Sequence, residues 1–291
     1  MKISTIIALP LLVVFVAIST HVSAKVLAQS ARAPAAHTQQ FPTLSLAQAN
    51  AAVQSASNGQ AHVLRVFRGE DGLVGVIIEG PAHNQNVAWL TTHGKAVVIE
   101  GTLIGSTGQN LTQSAMYSQG LLLKPDEAIK QAASVSAHGI LVGTKGPVIT
   151  VFFDPNCIYC HLLYKALAAQ VDAGKVRVRY VVVGTLKPSS IPRAVSMLAA
   201  VDPAKALALD EAGYDKAHEE GGYPIAKHLS ATLQADVEAN NVLFSKSGAH
   251  GTPAILYCSK SAKAAQFAEG VPGDIAAFVA DTAEQPSAAC R

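Results

Sequence analysis

The feature that most constrains the fold of this chain is a pair of cysteines, Cys157 and Cys160, placed where a predicted strand is followed by a predicted helix. The apolar run 148–153 favours a strand, and residues 157–171 have the spacing of a helix. A second apolar run at 176–183 favours another strand. A strand, a helix and a strand at this spacing form a βαβ unit with parallel strands. We therefore predict an α/β domain with the cysteine pair at the start of its first helix.

The two cysteines are expected to differ in exposure and acidity. Cys157 begins the helix, where unpaired backbone N–H groups and the helix dipole favour a negative charge and lower the pKa of a thiol. Cys160 shares the apolar face of the helix with Leu163, Leu167 and Val171, which indicates a buried position. The sequence thus predicts a redox pair in which Cys157 attacks a sulfur atom and Cys160 resolves the mixed disulfide.

His161 completes a C-x-x-C-H pattern, which is also the attachment motif of c-type haem. That hypothesis requires His161 as an axial ligand, and the strand before the motif argues against it. Only Met116 and Met197 remain as methionine ligands after residue 24. A protonated His161 would also stabilise a Cys157 thiolate, but a solvent-facing helical histidine is the more common case and we assign it no role. We expect no cofactor and no metal, because no second CxxC or paired histidine motif supplies zinc ligands.

The first 24 residues have the three-part pattern of a secretory signal peptide. Lys2 supplies the charge, residues 6–18 are apolar throughout, and residues 22–24 offer small side chains before a cleavage point. The apolar core is short for a transmembrane helix, and an uncleaved membrane anchor is the alternative. We therefore predict export, removal of residues 1–24, and an oxidising compartment in which disulfides persist.

Two further cysteines lie outside the CxxC pair. Cys258 falls on a predicted strand, and Cys290 is next to the last residue. A structural disulfide between them is one expectation. A buried thiol at Cys258 and a free thiol at Cys290 are the other.

The length of 291 residues and the order of predicted elements indicate two domains. Residues 25–113 are predicted to form an N-terminal tail and a small α+β domain, which contains one helix and two hairpins. The strands of the second hairpin are expected at 87–91 and 96–103. Residues 114–138 form a helical linker, and residues 139–291 form the domain that carries the cysteine pair, with a helical insertion at about 189–247. Charged residues make up 14% of the chain and the formal net charge is +2, which indicates a globular protein and gives no reason to expect nucleic acid as a partner.

Thr252 and Pro253 come immediately before a predicted strand at 254–258. A proline that enters a strand is conformationally restricted and often marks a cis bond. A cis peptide that faces the cysteines would expose backbone groups with which an extended substrate segment could pair. From the residue type alone, a trans proline in an ordinary turn is the more common case.

Taken together, these segments resemble the DsbC/DsbG family of bacterial periplasmic thiol:disulfide interchange proteins, and the DsbG branch most closely. The resemblance rests on four segments, at 153–160, 183–188, 202–205 and 252–255. It implies a thioredoxin-like catalytic domain preceded by a cystatin-like dimerisation domain, a homodimer, and the membrane reductase DsbD as electron donor. It also implies that Cys157 and Cys160 are the redox pair and that Thr252-Pro253 is a cis-proline loop that binds substrate. Ile158 stands where the family pattern usually has proline, so a redox potential does not follow from the resemblance.

The function that the sequence favours is therefore that of a periplasmic thiol–disulfide oxidoreductase. It would act as a disulfide isomerase, or as a reductase of cysteine sulfenic acids, on secreted proteins with wrong disulfides or oxidised cysteines. A c-type haem protein and a holdase-like chaperone, with the thiols secondary, are the alternatives.

Overall fold

The computed structural model of the protein describes residues 44–69, 72–134, 139–284 and 290. The predicted signal peptide at 1–24 and the tail at 25–43 lie outside these residues. Within the described residues, no helix combines the length and the apolar character that crossing a membrane requires.

The N-terminal part is a four-stranded antiparallel sheet with one helix packed on it. Its elements are α1 (Leu46–Ala56), β1 (His62–Arg68), β2 (Leu73–Glu79), β3 (Gln85–Thr91) and β4 (Val97–Val98). The strands lie side by side in chain order. Helix α1 begins with a capping box, because the Ser45 hydroxyl accepts a hydrogen bond from the Gln48 N–H and the Gln48 side chain accepts one from the Ser45 N–H. Val53 of α1 packs with Val76 and Leu90 to form the core of this part.

The second predicted hairpin is shorter than the sequence indicated. The strand expected at 96–103 contains only the two residues of β4. Glu100 follows with a φ angle of 56°, which is the left-handed region and ends an extended strand. The isolated apolar residues beyond it, Leu103 and Ile104, therefore do not extend the sheet.

Two helices connect the first sheet to the second, and they pack on different partners. They are α2 (Leu111–Ser118) and α3 (Pro125–Ser134). Thr112 of α2 accepts a hydrogen bond of 2.9 Å from the Trp89 indole N–H, which ties α2 to the first sheet. Ala128 and Ile129 of α3 pack into the core of the second sheet. The predicted helical linker at 114–138 thus contains most of α2 and all of α3, which begins at Pro125, and its last four residues lie outside the described residues.

The second sheet has five strands and places the cysteine pair. Its strands are β5 (Gly139–Val142), β6 (Val148–Phe153), β7 (Arg177–Val182), β8 (Ala254–Ser259) and β9 (Ala264–Glu269). Their order is β5-β7-β6-β8-β9, in which β6 and β7 are parallel and every other pair is antiparallel. The parallel pair confirms the predicted βαβ unit. β6 is the central strand, and all six of its residues are buried.

Helices cover both faces of this sheet. They are α4 (Ile158–Asp172), α5 (Ser190–Leu198), α6 (Pro203–Ala212), α7 (Ala231–Lys246) and α8 (Ile275–Asp281). Leu163 and Leu167 of α4 pack in one core with Val151 of β6, and Phe244 of α7 packs in the other core with Phe152. The predicted helical insertion at 189–247 corresponds to α5, α6 and α7, with a long irregular loop at 213–230 between the last two. The thioredoxin-like α/β architecture predicted for this part is therefore confirmed.

Candidate active site

Cys157 is the N-cap residue of α4, at the end of the connector that leaves β6. Its sulfur accepts a hydrogen bond from the Cys160 backbone N–H at 3.4 Å, as an N-cap side chain does. The Cys157 thiol lies 3.1 Å from the carbonyl oxygen of Thr252, to which it donates when protonated. Both cysteines are free thiols, and both are largely buried, with Cys157 5% and Cys160 1% exposed, so the expected exposure of Cys157 is wrong.

The two thiols have opposite electrostatic environments. A hydrogen bond from the Cys160 thiol is the main cause that lowers the pKa of Cys157 from 9.0 to about 6. Burial opposes this change, whereas Thr252 and the backbone N–H groups of Cys160 and Tyr159 support it. Burial raises the pKa of Cys160 well above 9.0, and its hydrogen bond to Cys157 adds to the increase. At neutral pH the pair therefore carries one proton, on Cys160, and one negative charge, on Cys157.

The Thr252-Pro253 segment lies against the Cys157 sulfur atom, 95 residues away in the chain. The peptide bond between Thr252 and Pro253 is cis. Pro253 accepts a hydrogen bond of 2.8 Å from the Gly270 N–H, which joins the segment to the end of β9. The Thr252 hydroxyl oxygen is buried and has no hydrogen-bond partner among the described residues, so it is available to donate to a sulfur anion. The structure thus brings all four sequence-predicted residues of the active centre into one place.

The connector before Cys157 is held by two buried polar side chains to which the sequence assigned no role. Asp154 accepts hydrogen bonds from the backbone N–H groups of Thr185 and Leu186, at 2.8 and 3.1 Å. Its second carboxylate oxygen accepts one from the Ser190 hydroxyl at 2.8 Å. Both Asp154 and Asn156 have no exposed surface. Since Asp154 bonds to the segment after β7, the position of the cysteine pair is tied to the adjacent strand.

Asn156 links the segment 154–156, which joins β6 to α4, to the helical insertion. Its amide nitrogen donates to the hydroxyls of Ser189 and Ser190, each at 3.0 Å. Its amide oxygen accepts from Arg193 at 3.2 Å and from the Gly221 N–H at 3.1 Å. Arg193 in turn forms an ion pair of 2.8 Å with Glu220. This network fixes the loop at 213–230 against Asn156, the residue that precedes Cys157.

His161 is buried rather than solvent-facing, which corrects the expectation from helical histidines in general. Its residue exposure is 4%, and its ring stacks on Tyr214 with centroids 4.5 Å apart. Its Nδ1 atom lies 2.7 Å from Oε2 of Glu211, whose side chain is also buried. The Tyr214 hydroxyl donates to the carbonyl oxygen of Asn156 at 3.1 Å. His161, Glu211 and Tyr214 therefore form a buried cluster next to the connector and the start of α4.

Glu211 is a residue of this site that sequence reasoning missed. It lies on α6, where Ala206, Leu207, Asp210 and Glu211 are all buried. These positions are spaced as one face of a helix, so the sequence pattern of two acidic residues on an otherwise apolar face could have indicated buried carboxyl groups.

The structure joins Cys258 and Cys290 by a disulfide, with their Cα atoms 5.2 Å apart. Cys258 is buried in β8, and its sulfur packs in the core that also contains α3. This bond lies apart from the CxxC pair, in a different core cluster.

Residues 138–278 match the family model of the thioredoxin-like domain. The thiol:disulfide interchange protein DsbG of Pseudomonas aeruginosa is 32% identical over 223 residues, which covers 73% of this chain and 80% of that protein. DsbG of Escherichia coli K12 is 31% identical over 213 residues, which covers 72% of this chain and 82% of that protein. The chain belongs to the DsbC/DsbG family of thiol:disulfide interchange proteins. Among solved structures, Helicobacter pylori DsbG aligns with 72% of this chain and 98% of its own, at 17% identity and a TM-score of 0.31.

As a member of this family, the protein is a thiol–disulfide oxidoreductase. The haem alternative is not favoured by the geometry of the site. An axial histidine needs room for a porphyrin beside its ring nitrogen, whereas His161 is only 4% exposed and its ring stacks on Tyr214.

Proposed function

We propose that the protein is a periplasmic oxidoreductase that uses Cys157 to attack wrong disulfides, or cysteine sulfenic acids, in secreted proteins. The observation that carries this proposal is the pair of opposed thiols. Cys157 has its pKa lowered to about 6, and the neighbouring Cys160 has its pKa raised. A nucleophile of this acidity is a thiolate at neutral pH, while the resolving thiol keeps its proton until it is needed.

The first step joins the enzyme to its client. The Cys157 thiolate attacks one sulfur of a client disulfide, a new S–S bond forms, and the other client sulfur leaves as a thiolate. With a sulfenic acid, the S–O bond breaks instead and the oxygen leaves as hydroxide, which takes a proton to become water.

The second step releases the client by one of two routes. Cys160 loses its proton and attacks the Cys157 sulfur, which gives an enzyme disulfide and a reduced client. Alternatively, another client thiol attacks the mixed disulfide, which leaves a rearranged client disulfide and regenerates the Cys157 thiolate. The first route requires a reductant, and we propose DsbD for this role, as the family resemblance implies.

The Thr252-Pro253 segment is proposed to bind the client backbone beside the target sulfur. Support comes from the Thr252 carbonyl oxygen, which lies 3.1 Å from the Cys157 sulfur and so borders the position that a client sulfur must reach. An extended client segment would pair with these backbone groups as an added strand does.

The N-terminal part, residues 25–113, is proposed as the dimerisation domain, followed by the linker at 114–138 and the catalytic domain at 139–291. Strand β1 is an edge of the sheet that the described residues form, and its Leu64 is 40% exposed. An exposed edge with an apolar side chain is suited to pairing with a second copy. Sedimentation of the mature chain tests this, and a monomer at high concentration would contradict it.

Residues 1–24 are proposed as the signal peptide that directs the chain to the periplasm.

The decisive experiment is to trap the client intermediate. Cys160→Ala removes the resolving thiol, so mixed disulfides on Cys157 should accumulate in cells and separate from the free enzyme on a non-reducing gel. Cys157→Ala is the matched control, because it retains one cysteine of the pair and should trap little. If Cys157→Ala trapped as many proteins as Cys160→Ala, or if neither trapped any, the proposed role of Cys157 would be wrong.

A further inference from the structure

A carboxyl group lies buried near the redox pair, and among the described residues no basic side chain forms an ion pair that would hold it charged. The Glu211 side chain is 2% exposed. Its Oε2 atom is 2.7 Å from His161 Nδ1, and its Oε1 atom is buried without a hydrogen-bond partner among the described residues. A carboxylate in such a place loses its hydration and gains one hydrogen bond, so burial favours the protonated form.

The groups around Glu211 reinforce this preference. Burial is the main cause that raises the pKa of Glu211 to about 8, and the negative charges of Asp210 and of the Cys157 thiolate raise it further. Lys165 of α4 opposes them. Burial lowers the pKa of His161, and Lys165 and Lys216 act in the same direction, so the imidazole stays neutral.

Three tyrosines complete the surroundings, and each responds to the same charge. The ionised form of Glu211 raises the pKa values of Tyr164 on α4, Tyr180 on β7 and Tyr214 in the loop after α6, in addition to their burial. None of these phenols carries a charge at neutral pH. The charges that act on Glu211 are therefore those of Asp210, Lys165 and Cys157, and the Cys157 charge is the one that the reaction removes.

We propose that Glu211, held by His161, is a positioning residue that takes up a proton when the Cys157–Cys160 disulfide is reduced and gives it up when the disulfide forms. The inference rests on the proposed redox role of the pair. If so, the helical insertion, through α6, influences the redox equilibrium of the cysteine pair at the start of α4.

The proton balance of the reaction makes the inference testable. Two glutathione molecules reduce the disulfide, and they lose two electrons and two protons as they form oxidised glutathione. Cys160 takes one proton, and Cys157 remains a thiolate. If Glu211 takes the other, no proton is released to solvent. If it does not, one proton is released and the equilibrium constant for reduction rises tenfold for each pH unit.

The experiment compares the reduction equilibrium with glutathione for the wild type and for Glu211→Gln between pH 6 and pH 9. Glutamine has the shape and the neutrality of protonated glutamate, so the two proteins should agree at the acidic end apart from a constant factor. Because an ionised Glu211 disfavours the Cys157 thiolate, the ratio of the wild-type constant to the variant constant should fall as pH rises. The fall should be tenfold for each unit by which the Glu211 pKa differs between the two redox states.

A control separates linkage from structure. Glu219→Gln removes an exposed carboxylate from the loop that follows α6, and its ratio to the wild type should be constant with pH. A constant ratio for Glu211→Gln as well would overturn the proposal, because a purely structural residue changes the equilibrium by the same factor at every pH. If the CxxC pair did not react with glutathione in either protein, the proposed function would fail instead.

A second measurement does not depend on the folding of the Glu211 variant. The oxidised-minus-reduced infrared spectrum of the wild type at pH 7.5 should show loss of the C=O stretching band of a protonated carboxyl. In Asp210→Asn, which removes the other buried acid on α6, the same change should remain but move to lower pH, because the Asp210 charge raises the pKa of Glu211. The absence of any such change in the wild type, or in Asp210→Asn at every pH, would contradict the assignment to Glu211.

Discussion

The acidity of Cys157 should depend mainly on one side chain, the Cys160 thiol. A pKa of about 6 against the ordinary 9.0 is a difference of about three units, or about 4 kcal/mol in favour of the thiolate. At pH 7 about nine tenths of Cys157 would then be thiolate, compared with about 1% for an unperturbed thiol. The hydrogen bond from Cys160 is the largest favourable contribution, because burial acts against the charge.

We predict that Cys160→Ala raises the pKa of Cys157 by about one to two units, since a hydrogen bond to a charged group contributes about 1.5–3 kcal/mol. The assay is the ultraviolet absorbance of the thiolate in the variant across pH, with the pH dependence of the alkylation rate as an independent check. Cys160→Ser is the matched control, because its hydroxyl can still donate to the Cys157 sulfur, and its pKa should stay close to 6. A pKa near 6 in Cys160→Ala would refute the reasoning, because the helix start alone would then account for the shift.

Three other changes test the surroundings of the pair. Thr252→Val keeps the branched shape but removes the hydroxyl, so the pKa of Cys157 should rise by less than it does in the alanine variant above, by the same absorbance titration. Removing the disulfide with Cys258→Ser and Cys290→Ser should lower the free energy of unfolding in urea by about 3.5 kcal/mol, because the bond closes a loop with a sequence separation of 32, and should leave the thiol titration unchanged. Asn156→Ala leaves several buried partners without hydrogen bonds, so it should lower the free energy of unfolding by about 2–4 kcal/mol, whereas an unchanged urea midpoint would show that the network contributes little.

The parts of the site that could be predicted from the sequence are those that depend on local structure. A cysteine that follows an apolar strand and precedes a helical pattern becomes an N-cap, and the pattern of apolar residues places Cys160 on the inner face of α4. Both statements need only the period of a helix and the chemistry of its first turn. The parallel pairing of β6 and β7 follows from the length of the connection between them.

The parts that could not be predicted depend on which distant segments meet. Nothing in the local sequence shows that Glu211, 50 positions after His161, reaches the same buried space. The short β4 was missed for a different reason, because apolar residues continue beyond Val98 while the backbone at Glu100 turns away. The hydrophobic pattern indicates which side chains are buried. Which buried side chains contact each other, as Glu211 and His161 do, depends on how the insertion packs against α4.

The two thiols are both almost completely buried, but their pKa values shift in opposite directions. Burial is the main cause that raises the pKa of Cys160, whereas at Cys157 the hydrogen bonds outweigh burial. The N-cap position lets Cys157 accept from the Cys160 N–H, and the same turn of helix brings the Cys160 thiol close enough to donate to the Cys157 sulfur. At Cys160, burial in the apolar core outweighs the hydrogen bonds that lower the pKa, so this thiol keeps its proton. A spacing of three residues at a helix start therefore lets the Cys160 N–H and the Cys160 thiol both donate to the Cys157 sulfur, and these contacts hold with Ile158 between the two cysteines.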